Sequence, residues 1–347
     1  MAASYLITSE PRWVLRNKAP VCGVASMTTN SISLIGDIGG TNCRLALACE
    51  GQLLSESVKT FAVAAYPSIV AAVQAYLQGH NIKIDNACLA IAGPVGNDIV
   101  GLTNQSWQFS IEQTRIDLDL KSLRIINDFE AVGLALPHLS ANQLQQIGGQ
   151  RPVPQMPKVA LGPGTGYGAT HVIAHGNTVI ALPTESGHIS IAPTTQREMA
   201  LFGWLHEQNL QITCEQLLSG PGLKTIYRAL YDIEFKRSGQ LFDRLSSAEI
   251  QSRAVSNSDS LCIATLNLFC DLLGTAARDQ ALYCLARGGI YIAGGIVQRF
   301  VPFLRASGFR QRFENSVTMH AILEPIPVYV ITEKDPGLIG AARSSIP

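Results

Sequence analysis

The sequence predicts an α/β protein built from two related halves with a cleft between them. Three observations lead there. Apolar strands alternate with helical stretches along the chain, the pattern of sheets covered by helices. The stretch Leu34-Ile-Gly-Asp-Ile-Gly-Gly-Thr-Asn-Cys-Arg-Leu-Ala-Leu47 and the stretch Leu161-Gly-Pro-Gly-Thr-Gly-Tyr-Gly-Ala-Thr-His-Val-Ile173 share one logic, in which a strand leads through a Gly and Thr turn into a second strand. One α/β unit therefore reads as duplicated. The length, 347 residues, exceeds what a single core fills, since cores stop growing at about 250 to 300 residues.

Taken in order, residues 1–30 carry Arg12, Arg16 and Lys18 against Glu10 and lack the apolar run of a signal peptide. They read as a disordered extension, an organelle address, or sequence ahead of a start at Met27, and are set apart from the fold. Strands are expected at 32–37 and 43–49, on either side of Gly39 and Gly40. Pro67 opens a helix that runs to Gln78, because Ile69, Val70, Val73, Tyr76 and Leu77 fall on one helical face. A strand at 87–93, a short strand pair within 95–102 and a strand at 123–127 follow, the last leading into the apolar stretch 129–136. Beyond the second hairpin, helices are expected at 197–208, 214–218, 222–230 and 259–286. Strands at 289–293 and 326–331 come next, and Pro336 opens a last helix.

Composition narrows the function. Basic and acidic residues are equal at 26 each, so the global basic field used by sequence-independent nucleic-acid or anionic-membrane binders is missing. The 47% apolar content excludes general disorder. Cys22, Cys43, Cys49, Cys88, Cys214, Cys262, Cys270 and Cys284 are scattered without a C-x-x-C pair or zinc-ligand spacing. Buried thiols, a reducing cytoplasm and no structural zinc are expected. The nearest thing to a membrane span is 60–82, yet Pro67, Gln74, Gln78, Gly79, His80 and Asn81 make it too polar, and it is assigned to core packing.

The glycine turns carry the chemistry. The P-loop pattern is absent, since Gly220-Pro-Gly-Leu-Lys-Thr225 has the wrong spacing. The dinucleotide pattern matches loosely at Gly164-Thr-Gly-Tyr-Gly-Ala169, but that motif must open a helix, and Thr170, His171, Val172 and Ile173 favour a strand. What remains is a pair of strand-turn-strand clasps whose backbone N–H groups approach phosphate oxygens. One such turn alone is more often just a tight turn; two together favour phosphate. Asp37 at the lip of the first clasp would be repelled by phosphate unless a cation lay between, so it reads as a Mg²⁺ partner acting through water. Asn127 and Asp128 sit where a strand ends and a helix begins, as helix caps, ligand groups or both. Glu185 and His188, three residues apart around Gly187, and Glu215 further on suit a polyhydroxylated ligand, although spacing alone is weak evidence.

In combination these motifs resemble bacterial glucokinase, the branch of the sugar kinase, actin and heat-shock chaperone superfamily that lacks a zinc motif. The resemblance runs from about Ser31 to about Arg343. It is carried by Gly36-Asp-Ile-Gly-Gly-Thr-Asn42, Leu102-Thr-Asn104 with Trp107, Ile126-Asn-Asp-Phe129, Gly162-Pro-Gly-Thr-Gly166, Glu185-Ser-Gly-His188 and Leu218-Ser-Gly-Pro-Gly-Leu223. Ile292-Ala-Gly-Gly-Ile-Val297, Ser307-Gly-Phe-Arg310 and Asp335-Pro-Gly-Leu338 complete it.

The resemblance implies two ribonuclease H-like domains of actin-like ATPase type, a small one of 31–138 plus about 332–347 and a large one of 139–331. They would close over glucose and ATP with Mg²⁺ and pass the γ-phosphoryl group to the sugar 6-hydroxyl. It implies Asp128 as general base, and Asn104, Asn127, Asp128, Glu185, His188 and Glu215 at the sugar. Gly36, Asp37, Gly39, Gly40, Thr41, Asn42, Gly164, Thr165 and Gly166 would lie at the phosphates, and Gly294 and Gly295 at the adenosine. Departures at Gly93-Pro-Val-Gly-Asn-Asp98, at Thr184 and Ser186, and at Tyr167 bear on selectivity. Two other readings compete: a non-catalytic sugar sensor, and a kinase for mannose or an N-acetylhexosamine. No nucleic-acid or membrane partner is expected, and the oligomeric state stays open, a homodimer included.

Overall fold

A computed structural model describes residues 32–80, 82–102, 107–176, 178–235 and 244–344. The N-terminal extension, Cys22 and Asn104 lie outside the described residues. The first half comprises β1 (Ile32–Ile38), β2 (Asn42–Cys49), β3 (Gln52–Ala62), α1 (Ile69–Gln78), β4 (Asn86–Ile91), a ribbon of β5 (Ile99–Gly101) and β6 (Gln108–Ser110), α2 (Ile111–Asp117) and β7 (Ser122–Asn127). Its sheet has the order β3-β2-β1-β4-β7, with β1, β2 and β3 antiparallel and β4 and β7 parallel to β1.

Then come α3 (Asp128–Ala135), β8 (Leu144–Gly148), β9 (Lys158–Pro163), β10 (Tyr167–His175) and β11 (Thr178–Thr184). Helices α4 (Gln196–Glu207), α5 (Cys214–Leu217), α6 (Gly220–Leu230), α7 (Ser247–Val255) and α8 (Ser260–Cys284) follow. The chain ends with β12 (Ile290–Ile292), α9 (Val301–Ala306), α10 (Phe309–Glu314), α11 (His320–Leu323), β13 (Val328–Ile331) and α12 (Pro336–Ser344). The second sheet has the order β11-β10-β9-β12-β13-β8. Its first five strands repeat the order and directions of the first sheet, and β8 adds an antiparallel edge. The duplication that the two hairpins predict thus extends over whole sheets, each a ribonuclease H-like unit of the actin-like ATPase fold.

The expected elements shift slightly. Helix α1 starts at Ile69 rather than Pro67, because the Ser68 hydroxyl caps it by accepting the Ala71 N–H at 3.2 Å. Its buried face is Ile69, Ala72, Val73 and Tyr76. The segment 60–82 is therefore the end of β3 plus this helix. Among the described residues the helix long and apolar enough to cross a membrane is instead α8, and it is mostly buried in the protein as a core helix. The Asp259 carboxylate caps α8 by accepting the N–H groups of Leu261 and Cys262. The strand pair expected within 95–102 is instead β5 with β6, which lies further on at Gln108–Ser110, and strands β3, β8 and β11 and helices α2, α7 and α9 to α11 are further elements of the fold.

Helices α3 and α12 join the halves. Ala131 of α3 packs with Leu338, Ala341 and Ala342 of α12 on the first sheet, whereas Val132 packs on Val172, Ala181 and Ala293 of the second. The α3–α12 crossing is so close that a Cβ on Gly340 would lie 1.7 Å from the Ala131 carbonyl oxygen. Helix α3, which follows β7 without a linker, serves both cores, so its first residues are placed at the seam.

Candidate active site

Most of the functional segments leave the C-terminal ends of parallel strands, the edge at which α/β sheets present ligand groups; Glu185 and His188 follow β11, and Glu215 lies in α5. In the first half these are the turn after β1, Gly93 after β4, and Asn127 and Asp128 at the end of β7. In the second half they are the turn after β9, Gly294 after β12, and Asp335 after β13. The first clasp closes with the Gly39 N–H donating to the Asn42 carbonyl at 2.9 Å, leaving Thr41 and Asn42 exposed. The second closes with the Gly164 N–H donating to the Gly166 carbonyl at 2.7 Å, leaving Thr165 exposed. Gly294 has φ +93, and a Cβ there would lie 2.5 Å from the Pro163 carbonyl oxygen, so the expected adenosine segment abuts the second clasp. Gly36 is different. It lies buried in β1, with Leu89 and Leu45 where a side chain would be, so packing already accounts for its glycine.

Asp37 faces Arg44 across the β1–β2 hairpin, with Arg44 Nη1 donating to Asp37 Oδ2 at 3.0 Å. Arg44 Nε also lies 3.6 Å from Asp335 Oδ1, so one guanidinium holds two carboxylates from opposite ends of the chain. Burial pushes the Asp37 pKa up, and Arg44 partly offsets this. Arg44 and Asp335 are functional candidates that the motif reading missed. The signal was available for Arg44, because closing the hairpin on Gly39 to Asn42 places it directly opposite Asp37.

Asn127 caps α3. Its Oδ1 accepts the N–H groups of Phe129 and Glu130 at 2.9 and 3.2 Å, and its Nδ2 donates to the Gly93 carbonyl at 3.2 Å. One Nδ2 hydrogen is left for a ligand. Asp128 is the first residue of α3; its Oδ1 accepts the Phe129 N–H at 2.9 Å. Burial, then the charges of Asp37 and Glu185, lift its pKa to about 7. The helix N-terminus works in the other direction, and desolvation wins. Asp128 thus lies within electrostatic range of both Asp37 of the first clasp and Glu185. His188 Nε2 and Glu185 Oε2 lie 3.9 Å apart, both side chains exposed. Asn127 and Glu185 also share the wall of a cavity of about 410 Å³, where Pro94 and Val95 of one half meet Pro183 and Thr184 of the other. Glu215, the first acidic residue of α5, has Oε2 accepting the Tyr167 N–H at 2.9 Å.

Among the described residues no three His, Cys, Asp or Glu side chains form a metal cage. A Mg²⁺ ion carried by nucleotide phosphates does not require one, because it keeps several waters and takes one or two carboxylates. Asp37 fits that need, and the buried Asp335 Oδ1, which has no hydrogen-bond partner, adds negative charge behind it.

The glucokinase family model matches residues 34–345. A glucokinase of Yersinia enterocolitica is 40% identical over 311 residues, 90% of this chain and 95% of its own length. The crystal structure of a glucokinase from an Antarctic psychrotroph matches with TM-score 0.79 at 34% identity, over 91% of this chain and 98% of the other. A glucokinase of Balamuthia mandrillaris, solved with glucose, matches with TM-score 0.71 over 91% and 93% of the two chains; at 19% identity it bears on the fold alone. A family model that spans nearly the whole described chain, with 40% identity over nine-tenths of the length, shows that the chain belongs to the glucokinase family.

Proposed function

We propose that the protein is a glucokinase that transfers the γ-phosphoryl group of ATP to the 6-hydroxyl of D-glucose. The observation that carries this reading is Asp128, a carboxyl at the start of α3 whose pKa burial and the charges of Asp37 and Glu185 push up to about 7. A sugar sensor would not need such a base. Glu185, His188, Glu215 and the spare N–H of Asn127 hold the sugar hydroxyls, and the backbone N–H groups of the two clasps hold the phosphate oxygens. Asp128 accepts the 6-hydroxyl proton as that oxygen bonds to the γ-phosphorus and the bond from phosphorus to the ADP oxygen breaks. A base with pKa near neutrality is ionised often enough to act and basic enough to take the proton. Asp37 would hold Mg²⁺ through water; the ion would neutralise charge on the transferring phosphate. Closure of the halves would exclude water, which otherwise competes with the sugar for the phosphoryl group.

The cysteines among the described residues are buried or half-buried thiols, which supports a reducing cytoplasm, where glucose 6-phosphate would enter glycolysis. The direct test is ADP release with Mg-ATP and a panel of glucose, mannose and N-acetylhexosamines. Glucose should give the highest kcat/KM; preference for another sugar would reassign the substrate, and no turnover with any would leave the sensor reading.

A narrower expectation concerns the exposed pair. Glu185→Gln or His188→Ala should weaken glucose binding roughly 10- to 100-fold, the effect of losing a hydrogen bond that involves a charged group. Nucleotide affinity measured without sugar should change little. Calorimetry showing unchanged glucose affinity in both variants removes this pair from the sugar site.

A further inference from the structure

We infer that Glu215 is a positioning residue that couples sugar occupancy to the second phosphate clasp, so that glucose and nucleotide bind cooperatively through it. The inference rests on the reading above, in which Glu215 touches the sugar. Its Oε2 accepts the N–H of Tyr167, the residue that ends the clasp, at 2.9 Å. The fit is tight, since a Cβ on Gly166 would lie 2.4 Å from that same oxygen. At the carbonyl of the same residue, a Cβ on Gly187 would lie 2.4 Å from the Tyr167 oxygen and 3.6 Å from Glu215 Cβ. Gly187 stands between Ser186 and His188, inside the segment expected to hold the sugar.

The start of the clasp is tied to the same stretch of chain. The Gly220 N–H, at the first residue of α6, donates to the Gly164 carbonyl at 2.9 Å, and Gly220 lies just beyond α5. Both ends of the phosphate turn therefore hang on residues 215–220. A carboxylate has four lone-pair sites on two oxygens, so Glu215 can keep the Tyr167 N–H while its other oxygen takes a sugar hydroxyl. Sugar that fixes Glu215 fixes the clasp, and nucleotide that orders the clasp fixes Glu215. Such coupling must be equal in both directions.

Calorimetric titration of a non-hydrolysable ATP analogue with Mg²⁺, with and without saturating glucose, reads this coupling as a ratio of affinities. The wild type should show at least about fivefold tightening. In Glu215→Ala the ratio should fall to about one. In Glu215→Gln glucose should bind more weakly, yet the amide oxygen still accepts the Tyr167 N–H, so the ratio should stay within about twofold of wild type. Gly166→Ala, whose methyl group would displace the Glu215 carboxylate from the clasp, should also bring the ratio to about one, with glucose binding weakened no further than in Glu215→Ala. It also serves if Glu215→Ala does not fold. A wild type without coupling, or full coupling in Glu215→Ala or Gly166→Ala, overturns the inference. A wild type that binds no glucose overturns the functional reading instead, so the two failures are distinct.

Discussion

Asp128→Ala is expected to lower kcat by roughly 10²- to 10⁴-fold, the range for removing a general base, with glucose and nucleotide still bound. In the wild type, kcat/KM should rise with pH through an acid limb near the Asp128 pKa of about 7, because only the carboxylate accepts the hydroxyl proton. Near-normal turnover in the variant, or a wild-type profile flat between pH 5 and 8, would exclude Asp128 as the base. Asp128→Asn sharpens the test, because the same burial that tunes the base costs stability. The carboxyl has pKa about 7 in the folded chain and 3.8 as its ordinary value. Between these values the folded state binds more protons than the unfolded state, so stability falls as pH rises through this window, and the whole cost is present above about pH 7. At about 1.4 kcal/mol per pKa unit the cost is at most about 4 kcal/mol, and lower because Asp128 is only partly enclosed. The amide that Asp128→Asn introduces cannot ionise. That variant should melt above wild type at pH 8 and level with it at pH 4, while remaining inactive at both. A lower melting temperature at pH 8 would contradict a strained carboxylate.

Much of this arrangement was legible in the sequence, for identifiable reasons. Strands β1, β2 and β9 and the first half of β10 are largely buried on both sides of glycine turns, so they read as apolar runs with punctuation, and the duplication followed from them. The sheet edges were not legible. Strand β3 is half-exposed and carries Ser55, Glu56, Lys59 and Thr60, which blunt the edge and erase the apolar pattern. In β11 the exposed residues include Ile180 and Leu182 while the small Ala181 is buried, so alternation points the wrong way. Helix α7 did carry a signal, the capping box formed by Ser246 and Glu249, which predicts a helix start without any apolar face.

The site divides in the same way. Asp128, Glu185 and Asp37 sit in recognisable motifs, and the structure brings Asp37 and Glu185 within electrostatic range of Asp128. Arg44 and Asp335 gain meaning only when the hairpin closes and the last helix, α12, returns to the first sheet. Glu215 could be assigned to the sugar by resemblance, but its bond to the clasp depends on where α5 docks, which no local pattern encodes.

The largest expected effect on stability lies away from the cleft. Glu198 of α4 is fully buried, and its Oε1 receives Arg312 Nη2 of α10 at 2.6 Å; the Arg312 side chain is 11% exposed. Arg312 also donates to the Thr275 hydroxyl at 3.2 Å, so the pair ties α4, α8 and α10 together. The other Glu198 oxygen accepts the backbone N–H of Thr194 and Thr195 and closes the capping box of α4. Glu198→Ala therefore removes a helix cap and leaves a guanidinium buried with no carboxylate bonded to it. Breaking a buried pair from one side costs about 3–5 kcal/mol, chiefly because the remaining charge is uncompensated. Asp271, whose pKa burial raises and Arg312 lowers, is the acidic neighbour able to take up part of that charge. Denaturant unfolding should show the full loss for Glu198→Ala and a smaller one for Glu198→Gln, whose amide oxygen can still accept from Arg312 or from the cap. Adding Arg312→Leu to Glu198→Ala should recover part of the loss, because no charge is then stranded. A double variant no more stable than Glu198→Ala would show that the ion pair is not the source of the effect and that the cap alone carries it. Below the unfolding transition kcat should stay within about twofold of wild type, since neither residue reaches the cleft.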